Sequence, residues 1–459
     1  MYSAPPAPSA GDPSPPPAAG QVKPGSRRQL LLLSAVNSAD TGEQSVISVM
    51  FPAMRAALDL PLAALGILGA TAKLAGVVFG PLWVSIAQRV PRTYVLAGCS
   101  GLWGVWTIAA GLAQNYVQLL VMSTIVAAGV AGGGPLVSGI LGDLFDDKSR
   151  GRAAGLLFGS AALFTGLLGP LLGQLSRFED GWRYGFFTVG VLQILAGVAL
   201  LLFFKDPGIG AAEPQLAAQA DTVRAQRPRA FDRASVRRLL RIRTFPLICA
   251  QRLLGSQFIL LAFGVVFLVD VRGFSNASAS LVTLPAAVSY FFGTLAGGIT
   301  ADRAHRRFPR TGRVAILQTS YLVYGAVAFA ATQIAWSSLA VYAVLFSLLG
   351  ALQGMQPAVN RPLMMSVIPP ELRSAAFALF LAVESVAWAA VTILVGRLGD
   401  SIGLQGAFLW SLVVMVLAGG LFATLLYRPY AHDLAVLQDE LDLRATDGRS
   451  SPHEAQQER

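Results

Sequence analysis

The sequence carries little charge and few cysteines. Of its 459 residues, 13% are charged and 54% are hydrophobic, and the mean hydropathy is +0.58. Soluble domains usually carry about 25% charged residues, so this composition excludes a soluble enzyme. The two cysteines, Cys99 and Cys249, lie within apolar runs, which excludes a secreted disulfide scaffold and a cysteine-based metal site. The net charge of +10 does not indicate a nucleic-acid partner, because most arginines sit in short connectors between apolar runs.

Histidine is also scarce. His305, His432 and His453 all fall outside the apolar runs, so any proton relay inside a membrane has to use carboxylates. The same absence argues against a membrane hydrolase with a Ser-His-Asp site. The sequence contains neither a paired-histidine zinc motif nor a glycine-rich nucleotide loop, and we expect no metal and no cofactor.

Long apolar runs dominate the chain. A helix of about 20 apolar residues crosses a hydrocarbon layer of ~30 Å, and strands of a β-barrel are only about ten residues long. We therefore expect an all-α polytopic membrane protein with twelve transmembrane helices. The predicted spans 1 to 12 cover residues 30–54, 62–87, 94–113, 116–141, 152–176, 184–204, 245–269, 277–300, 312–334, 336–360, 374–397 and 404–427.

A polar connector divides these spans into two six-helix bundles. The connector is rich in arginine, and its last part places apolar residues among the arginines, which favours a basic helix on an anionic leaflet or, as an alternative, a solvated linker. The predicted segments are a disordered tail 1–28, an N-terminal bundle 29–204, the linker 205–244, a C-terminal bundle 245–428 and a tail 429–459 that begins with a short surface helix.

The two halves repeat each other. RVPRT at 89–93 corresponds to RFPRT at 307–311, and AAGLLF at 153–158 corresponds to AAFALF at 375–380, in the same order and at nearly the same offset. Both halves begin on the same side, so the repeat is parallel, about an axis along the membrane normal.

Basic residues fix the predicted orientation. With the N-terminus inside, most of the 35 Lys and Arg residues fall on the cytoplasmic side. This asymmetry places both termini in the cytoplasm of a multi-pass protein, and we expect it in the inner (plasma) membrane. The residues assigned to the outside are Arg55, Arg177, Arg183, Arg272 and Arg397.

Five ionisable residues lie within the predicted spans: Asp40, Glu43, Lys73, Arg252 and Glu384. Each costs about 2.5–3.5 kcal/mol at the membrane midplane unless it is paired or hydrated. We expect Asp40 or Glu43 to carry a proton, with Glu384 as a further coupling carboxylate and Lys73 as a counter-ion. The alternative is structural: the carboxylates anchor helix contacts, and Lys73 and Arg252 neutralise them.

Three spans carry polar residues that we expect to bind substrate. Asn37, Asp40 and Gln44 share one face of span 1 at helical spacing. The same spacing recurs in span 10, and span 7 carries a polar group that includes Arg252. The further candidate substrate-binding residues are Gln251, Gln257, Gln353, Gln356 and Asn360.

The loop after span 8 carries a familiar motif. Gly298, Asp302 and Arg303, followed by Arg306 and Arg307, stand in GITADRAHRR. This pattern, together with twelve spans in two sixes, resembles the major facilitator superfamily. The first-half copy is degenerate: Gln88 stands where an Asp is expected, while Arg89 and Arg92 remain. The resemblance implies two bundles that rock about a central cavity lined by spans 1, 4, 7 and 10. It also implies a gating role for Gln88, Arg89, Arg92, Asp302 and Arg303.

Within that superfamily the chain resembles spinster-type lipid transporters. The resemblance is carried by NSAD at 37–40, the run at 139–155 and IPPELRSAAFALF at 368–380. Thr41, Ser123 and Val130 depart from the family pattern, which has an arginine at the first two positions and a glutamate at the third. A second resemblance is to drug/proton antiporters, through Gly166, Gly169, Pro170 and Gly173 of span 5; helix packing is the alternative role of these glycines.

These observations predict a secondary transporter that works by alternating access. We expect a monomer in the lipid bilayer, coupled to protons, that exports a lipid-like or hydrophobic small molecule. One alternative is an uptake carrier for a small organic anion. Another is a membrane receptor or lipid enzyme that transports nothing.

Overall fold

The computed structural model of the protein describes residues 26–145, 147–208, 233–369 and 372–439. Helices form the secondary structure of these residues, and no strand occurs among them. Most of the predicted N-terminal tail, the middle of the linker and the end of the C-terminal tail lie outside the described residues. The first helix begins at Ser26, slightly before the predicted end of the tail at residue 28.

The first half contains six helical crossings in chain order. Span 1 is Ser26–Asp40 and Gly42–Leu58; span 2 is Leu62–Ile86; span 3 is Arg92–Leu96, the π-helical Ala97–Leu102 and Gly104–Gly111; span 4 is Tyr116–Val130 and Gly133–Leu144; span 5 is Asp147–Leu175; span 6 is Gly181–Phe203.

The second half follows the helix Arg233–Arg241. Span 7 is Thr244–Leu253 and Ile259–Asp270; span 8 is Asn276–Ala279, the 3-10 turn Ser280–Val282 and Thr283–Arg307; span 9 is Gly312–Gln333; span 10 is Leu339–Met365; spans 11 and 12 share Arg373–Phe408, and span 12 continues through the π-helical Leu409–Val414, Met415–Phe422 and Ala423–Leu426. Gly403 separates spans 11 and 12 because its φ of 79° is open to glycine and strained for other residues.

Eight helical stretches of the described chain are long and apolar enough to cross a membrane. They comprise spans 2, 3, 4, 6, 8, 9 and 10 and the joined spans 11 and 12. Span 1 is broken at Thr41, and span 7 is broken between Leu253 and Ile259. In span 5 the apolar part is the shorter stretch Gly159–Leu175.

The break in span 1 has a local cause. The Thr41 hydroxyl donates to the carbonyl of Ser38 at 2.7 Å, and the Thr41 amide donates to the same carbonyl at 3.2 Å. Threonine and serine side chains that bond nearby carbonyls compete with the regular helical ladder. The result is a bend in span 1 directly beside Asp40 and Glu43.

The two halves contact each other through spans 2 and 11, spans 5 and 8, and spans 1 and 7. Glycine permits a close approach between spans 2 and 11: a Cβ added to Gly396 would lie 2.8 Å from the Cα of Ala63. Between spans 5 and 8, a Cβ on Gly166 would lie 2.5 Å from the Cβ of Ala287. The span 5 glycines therefore pack against the second half, the alternative that the sequence left open.

Polar bonds between the halves reinforce one end of the molecule. We call this the far end; the opposite end, which carries the linker, is the linker end. Arg55 pairs with Asp270 at 2.5 Å, joining span 1 to span 7. The Asp400 carboxylate accepts the backbone amides of Leu62 and Ala63, each at 2.8 Å, and so caps span 2 from span 11. Within the described residues, the side-chain hydrogen bonds between halves lie at the far end, which is closed.

The ends of the linker and the tail pack on the second half. Leu239 of the helix Arg233–Arg241 is fully buried, whereas Leu240 is exposed. The helix predicted for the C-terminal tail spans residues 427–439, and its Asp433 accepts the amide and the hydroxyl of Thr244 at 2.8 and 2.7 Å. Burial of Leu239 packs the linker helix on the second half, and the Asp433 bond holds the tail helix to the start of span 7.

Candidate functional site

The strongest charge pair in the middle of the molecule joins span 7 to span 11. Nη2 of Arg252 lies 2.5 Å from Oε1 of Glu384, and Nε donates to the same oxygen at 3.2 Å. Nη1 donates to the carbonyl of Gly255 at 3.1 Å, in the segment where span 7 is broken. The break thus supplies an acceptor that orients the guanidinium toward Glu384.

This pair faces a cavity of about 660 Å³, which we call the cationic chamber. Lys73 and Arg361 also line it, so three cations and the single carboxylate of Glu384 face the same space. The Nζ of Lys73 lies 5.1 Å from the centre of the Trp388 ring, a cation–π contact across the two halves. The polar and aromatic walls include Gln257, Phe258, Tyr290, Gln353, Gln356, Asn360, Phe377 and Phe380.

A second cavity, the apolar chamber, adjoins the first. Its volume is about 260 Å³, and aliphatic side chains of spans 1, 5, 7, 8 and 10 provide most of its surface. Tyr290 and Gln353 line both chambers. A ligand that passes these two residues would therefore have a charged group among the cations and an apolar group among aliphatic side chains.

Glu43 lies in a third cavity of about 250 Å³, the acidic chamber, together with Gln44 and Ser123. Glu43 is 4% exposed, and its Oε1 has no hydrogen-bond partner. No ion pair among the described residues involves it. Trp388 lines both this chamber and the cationic chamber, so Glu43 and Glu384 approach the same tryptophan from opposite halves.

Asp40 lies elsewhere, inside the first half. A Cβ added to Gly133 would lie 2.5 Å from Oδ2 of Asp40 and 2.6 Å from the Ser100 hydroxyl. Three irregular segments therefore meet at this carboxylate: the break of span 1, the π-helical segment of span 3 and the break of span 4. Its Oδ1 is buried without a hydrogen-bond partner. Such π-helical segments are frequent at functional sites.

The predicted polar stripe of span 1 is divided by the break at Thr41. Gln44 faces the acidic chamber, whereas Asn37 and Asp40 lie outside the three chambers. In spans 7 and 10 the structure brings Arg252, Gln257, Gln353, Gln356 and Asn360 together in the cationic chamber. Gln251 is fully buried outside the three chambers, and neither of its amide atoms has a hydrogen-bond partner.

The predicted gating residues lie at the linker end. Arg92 pairs with Asp143 at 2.5 Å and with Asp206 at 2.6 Å, which ties spans 3, 4 and 6 together within the first half. Asp302 lies 3.6 Å from Arg313, within the second half. Gln88, Arg89 and Arg303 are exposed. These residues hold each half together at this end, and no described ion pair there joins one half to the other.

The sequence analysis missed Arg361. Span 10 was predicted to end at residue 360, but the helix continues through Pro362 to Met365 and brings Arg361 to the wall of the cationic chamber. Tyr290, at the junction of two chambers, was missed as well. A signal for Arg361 was present, since it directly follows the polar positions Gln353, Gln356 and Asn360.

A charged central cavity between two helical halves, in a chain whose helices are long and apolar enough to cross a membrane, defines a multi-pass membrane protein. The chain belongs to the Major Facilitator Superfamily, whose sequence profile matches residues 33–324. This membership confirms the predicted all-α polytopic fold and the predicted family.

Curated relatives of different kinds are similar in sequence to part or most of the chain. An MFS-type efflux pump of Mycolicibacterium smegmatis is 25% identical over 425 residues, covering 88% of this chain and 93% of the relative. A hexuronate transporter of Bacillus subtilis is 24% identical and covers 62% of this chain and 65% of the relative. The MFS transporter fsa7 of a Fusarium species is 26% identical over 50% of this chain and 48% of its own. The chain thus spans about half to two thirds of the length of the last two.

Solved structures share the fold. A bacterial homolog of the human lysosomal transporter Spinster, in an inward-facing and unoccupied conformation, matches with a TM-score of 0.70 and 20% identity. The match covers 90% of this chain and 98% of the other. The inward-open xylose transporter XylE of E. coli matches with a TM-score of 0.68 and 16% identity, covering 90% and 99% of the two chains.

Proposed function

We propose that this transporter exports an amphiphilic, lipid-like molecule by proton-coupled alternating access. The junction of the cationic chamber with the apolar chamber at Tyr290 and Gln353 is the observation that carries this proposal. An apolar tail gains about 25 cal/mol for each Å² that it buries, whereas a charged head group needs paired or hydrogen-bonded surroundings. The two adjoining chambers offer both environments.

The head group would lie among the polar residues of spans 7 and 10. Arg252 supplies a forked donor for a carboxylate or phosphate, and Gln353, Gln356 and Asn360 supply hydrogen bonds from the opposite wall. Gln257 lies on the same wall as Arg252. Gln44 faces the acidic chamber, so its contact with substrate would need the ligand to extend past Trp388.

Proton coupling would use the carboxylates of the first half. Glu43 is buried beside a cavity, Asp40 is half-buried with its Oδ1 enclosed among three helix irregularities, and neither forms an ion pair with a described residue. A buried carboxylate without a cation is more stable protonated than charged, and access to water reverses that preference. Alternation between open and closed states would therefore take up and release a proton at Glu43, with Asp40 and Glu384 as further titrating groups.

The basic linker end supports the proposed orientation. Arg237, Arg241 and Arg243 lie there, as do Arg306 and Arg307. By the positive-inside rule this end would face the cytoplasm, with both termini inside, and we propose that the chain lies in the inner membrane as a monomer. The closed far end would then face outward.

Reconstitution into liposomes with an imposed pH gradient tests the proposal. We expect gradient-driven flux of a fluorescent lysolipid, and loss of most of that flux in Glu43→Gln or Asp40→Asn. Glu179→Gln, an exposed glutamate outside the chambers, is the matched control and should transport normally. Full gradient-driven flux in both neutralised variants would refute the proton-carrier assignment. Failure of every lysolipid to move would refute the substrate class.

A second candidate is uptake of a small organic anion. The excess of cations over carboxylates in the cationic chamber favours it, and the hexuronate transporter among the relatives carries such a molecule by its name. The two functions separate in the same liposomes. Accumulation of labelled galacturonate without lysolipid movement would establish the second candidate.

A further inference from the structure

Glu384 lies between two cations that belong to different halves. It pairs with Arg252 within the second half at 2.5 Å. Lys73, from span 2 of the first half, faces the same chamber and exerts an attraction on Glu384, although the two form no ion pair within 4.0 Å. Trp388, on which the Lys73 ammonium rests, stands one helical turn after Glu384.

In the structure, the positive charge of Lys73 is not neutralised by a neighbouring described carboxylate. Its ammonium contacts an aromatic ring and has no hydrogen-bond partner or ion pair among the described residues. A lysine on a flexible four-carbon stem can leave the ring for a carboxylate one helical turn away. Spans 2 and 11 already pack against each other, so a small approach of one half toward the other would bring the two charges together.

We propose that Glu384 is a built-in competitor of the substrate's anionic group and that Lys73 is its second partner. When a carboxylate or phosphate enters past Arg361 and takes the Arg252 guanidinium, Glu384 is displaced and pairs with Lys73. The displaced pair joins span 11 to span 2, so that binding of an anion creates a bond between the two halves. This inference rests on the proposed function only in assuming that the substrate carries an anionic group.

The balance of charges in the cationic chamber before and after binding is consistent with this exchange. Before binding, Arg252 is neutralised by Glu384, while Lys73 and Arg361 have no carboxylate of their own among the described residues. After binding, the anion neutralises Arg252 and Glu384 neutralises Lys73. An uncharged ligand offers no anionic group to Arg252 and leaves Glu384 in place, so it would bind without joining the halves.

Binding of small probes to the purified protein in a neutral detergent tests whether Glu384 competes with an anionic ligand for Arg252. The probes are lauroyl lysophosphatidic acid, the uncharged monolauroylglycerol with the same tail, and galacturonate. Removal of a partly exposed competing charge should tighten binding of the anionic probes to Glu384→Gln by about five- to ten-fold, with monolauroylglycerol unchanged. Arg397→Gln, an exposed arginine of the same span, is the matched control and should bind like the unaltered protein.

A distance measurement tests the second partner. Spin labels at Val90 and Arg310, exposed positions of the two halves at the linker end, report their separation in a Cys249→Ser background. Lysophosphatidic acid should shorten this distance in the unaltered protein and in Lys73→Arg. Lys73→Met should bind the same probe yet show no shortening, a result that a merely structural lysine would not give.

The possible results separate this inference from the proposed function. If lysophosphatidic acid binds but Glu384→Gln does not tighten it, or Lys73→Met closes normally, the exchange is refuted and the amphiphile proposal stands. If galacturonate alone binds and Glu384→Gln tightens it, the exchange is supported and the amphiphile proposal is refuted. If no probe binds any variant, both are refuted.

Discussion

The two halves treat their buried charges in opposite ways. In the first half, Asp40 and Glu43 have no ion-pair partner among the described residues, and each has a buried carboxylate oxygen without a hydrogen bond. In the second half, the carboxylate that faces the cationic chamber is Glu384, and it pairs with Arg252 at 2.5 Å. The two halves therefore differ in how the carboxylates near the centre of the molecule are partnered.

We propose that this difference gives the two halves distinct tasks. A charge that is already neutralised gains little from a proton, whereas an unpaired buried carboxylate is stabilised by one. A paired guanidinium, in contrast, can exchange its carboxylate for that of a ligand. The first half is therefore suited to proton binding and the second half to anion binding, and coupling between them would pass through Trp388, which lies between Glu43 and Glu384.

The largest expected effect comes from breaking the pair in the second half. Arg252→Leu leaves Glu384 charged in a cavity without its partner, and loss of one partner of a buried pair costs about 3–5 kcal/mol. Because the Glu384 side chain is 31% exposed to the chamber, we expect a smaller loss, about 2 kcal/mol. Thermal unfolding in detergent measures it.

The double variant Arg252→Leu, Glu384→Leu is the control for that loss. It removes both charges and should recover most of the lost stability. Asp40→Asn and Glu43→Gln, in contrast, should leave the melting temperature unchanged or raise it, because those carboxylates have no pair to lose. Equal destabilisation by Asp40→Asn and Glu384→Gln would contradict the contrast between the halves.

A second test introduces into the first half a carboxylate–guanidinium pair like that of the second half. Ser123 faces Glu43 in the acidic chamber, so Ser123→Arg should place a guanidinium beside the unpaired carboxylate. A paired carboxylate binds a proton less readily, and we expect a loss of gradient-driven flux of about ten-fold or more. Flux in proteoliposomes measures it. Ser123→Gln, uncharged, should retain most of the flux, and normal flux in Ser123→Arg would show that Glu43 needs no proton.

The fold could be predicted from the sequence because membrane burial leaves a strong signal. Twelve apolar runs, a basic linker and paired loop motifs indicated two six-helix bundles, and helix boundaries agree within a few residues in most spans. The breaks were not predictable: the bend at Thr41 depends on one hydroxyl bond to Ser38, and the π-helical segment of span 3 carries no clear pattern.

The site was predictable as a set of residues but not as an arrangement. Charges within apolar runs pointed to Asp40, Glu43, Lys73, Arg252 and Glu384. Which carboxylate meets which cation depends on helix packing, and the bend of span 1 sends Asp40 and Gln44 to different places. Arg361 was missed because a helix containing Pro362 extends further than the local sequence suggests.

A smaller effect is expected where the halves meet at the far end. Asp400 caps two amides of span 2, and removal of an N-terminal cap costs about 1–2 kcal/mol. Asp400→Ala should weaken the closed far end and raise the population of molecules open there by about ten-fold. Labelling of a cysteine introduced at Ala63, which lies in that contact, measures the change. Glu179→Ala, exposed outside the contact, should leave labelling unaltered, and unchanged labelling in Asp400→Ala would exclude the cap as a lock.

The smallest effect on stability is expected from the loop motif of the second half. At the linker end, this motif can be compared with the corresponding loop of the first half. Arg92 joins two carboxylates with its side chain 14% exposed, whereas Asp302 is 60% exposed and lies 3.6 Å from Arg313. Exposed pairs contribute about 0–1 kcal/mol, so Asp302→Asn should cost less than about 0.5 kcal/mol and Arg92→Gln about 1 kcal/mol. Thermal unfolding of the two variants gives the order. A larger loss from Asp302→Asn would mean that Asp302 has a partner in another conformation, where a gate between the halves would use it.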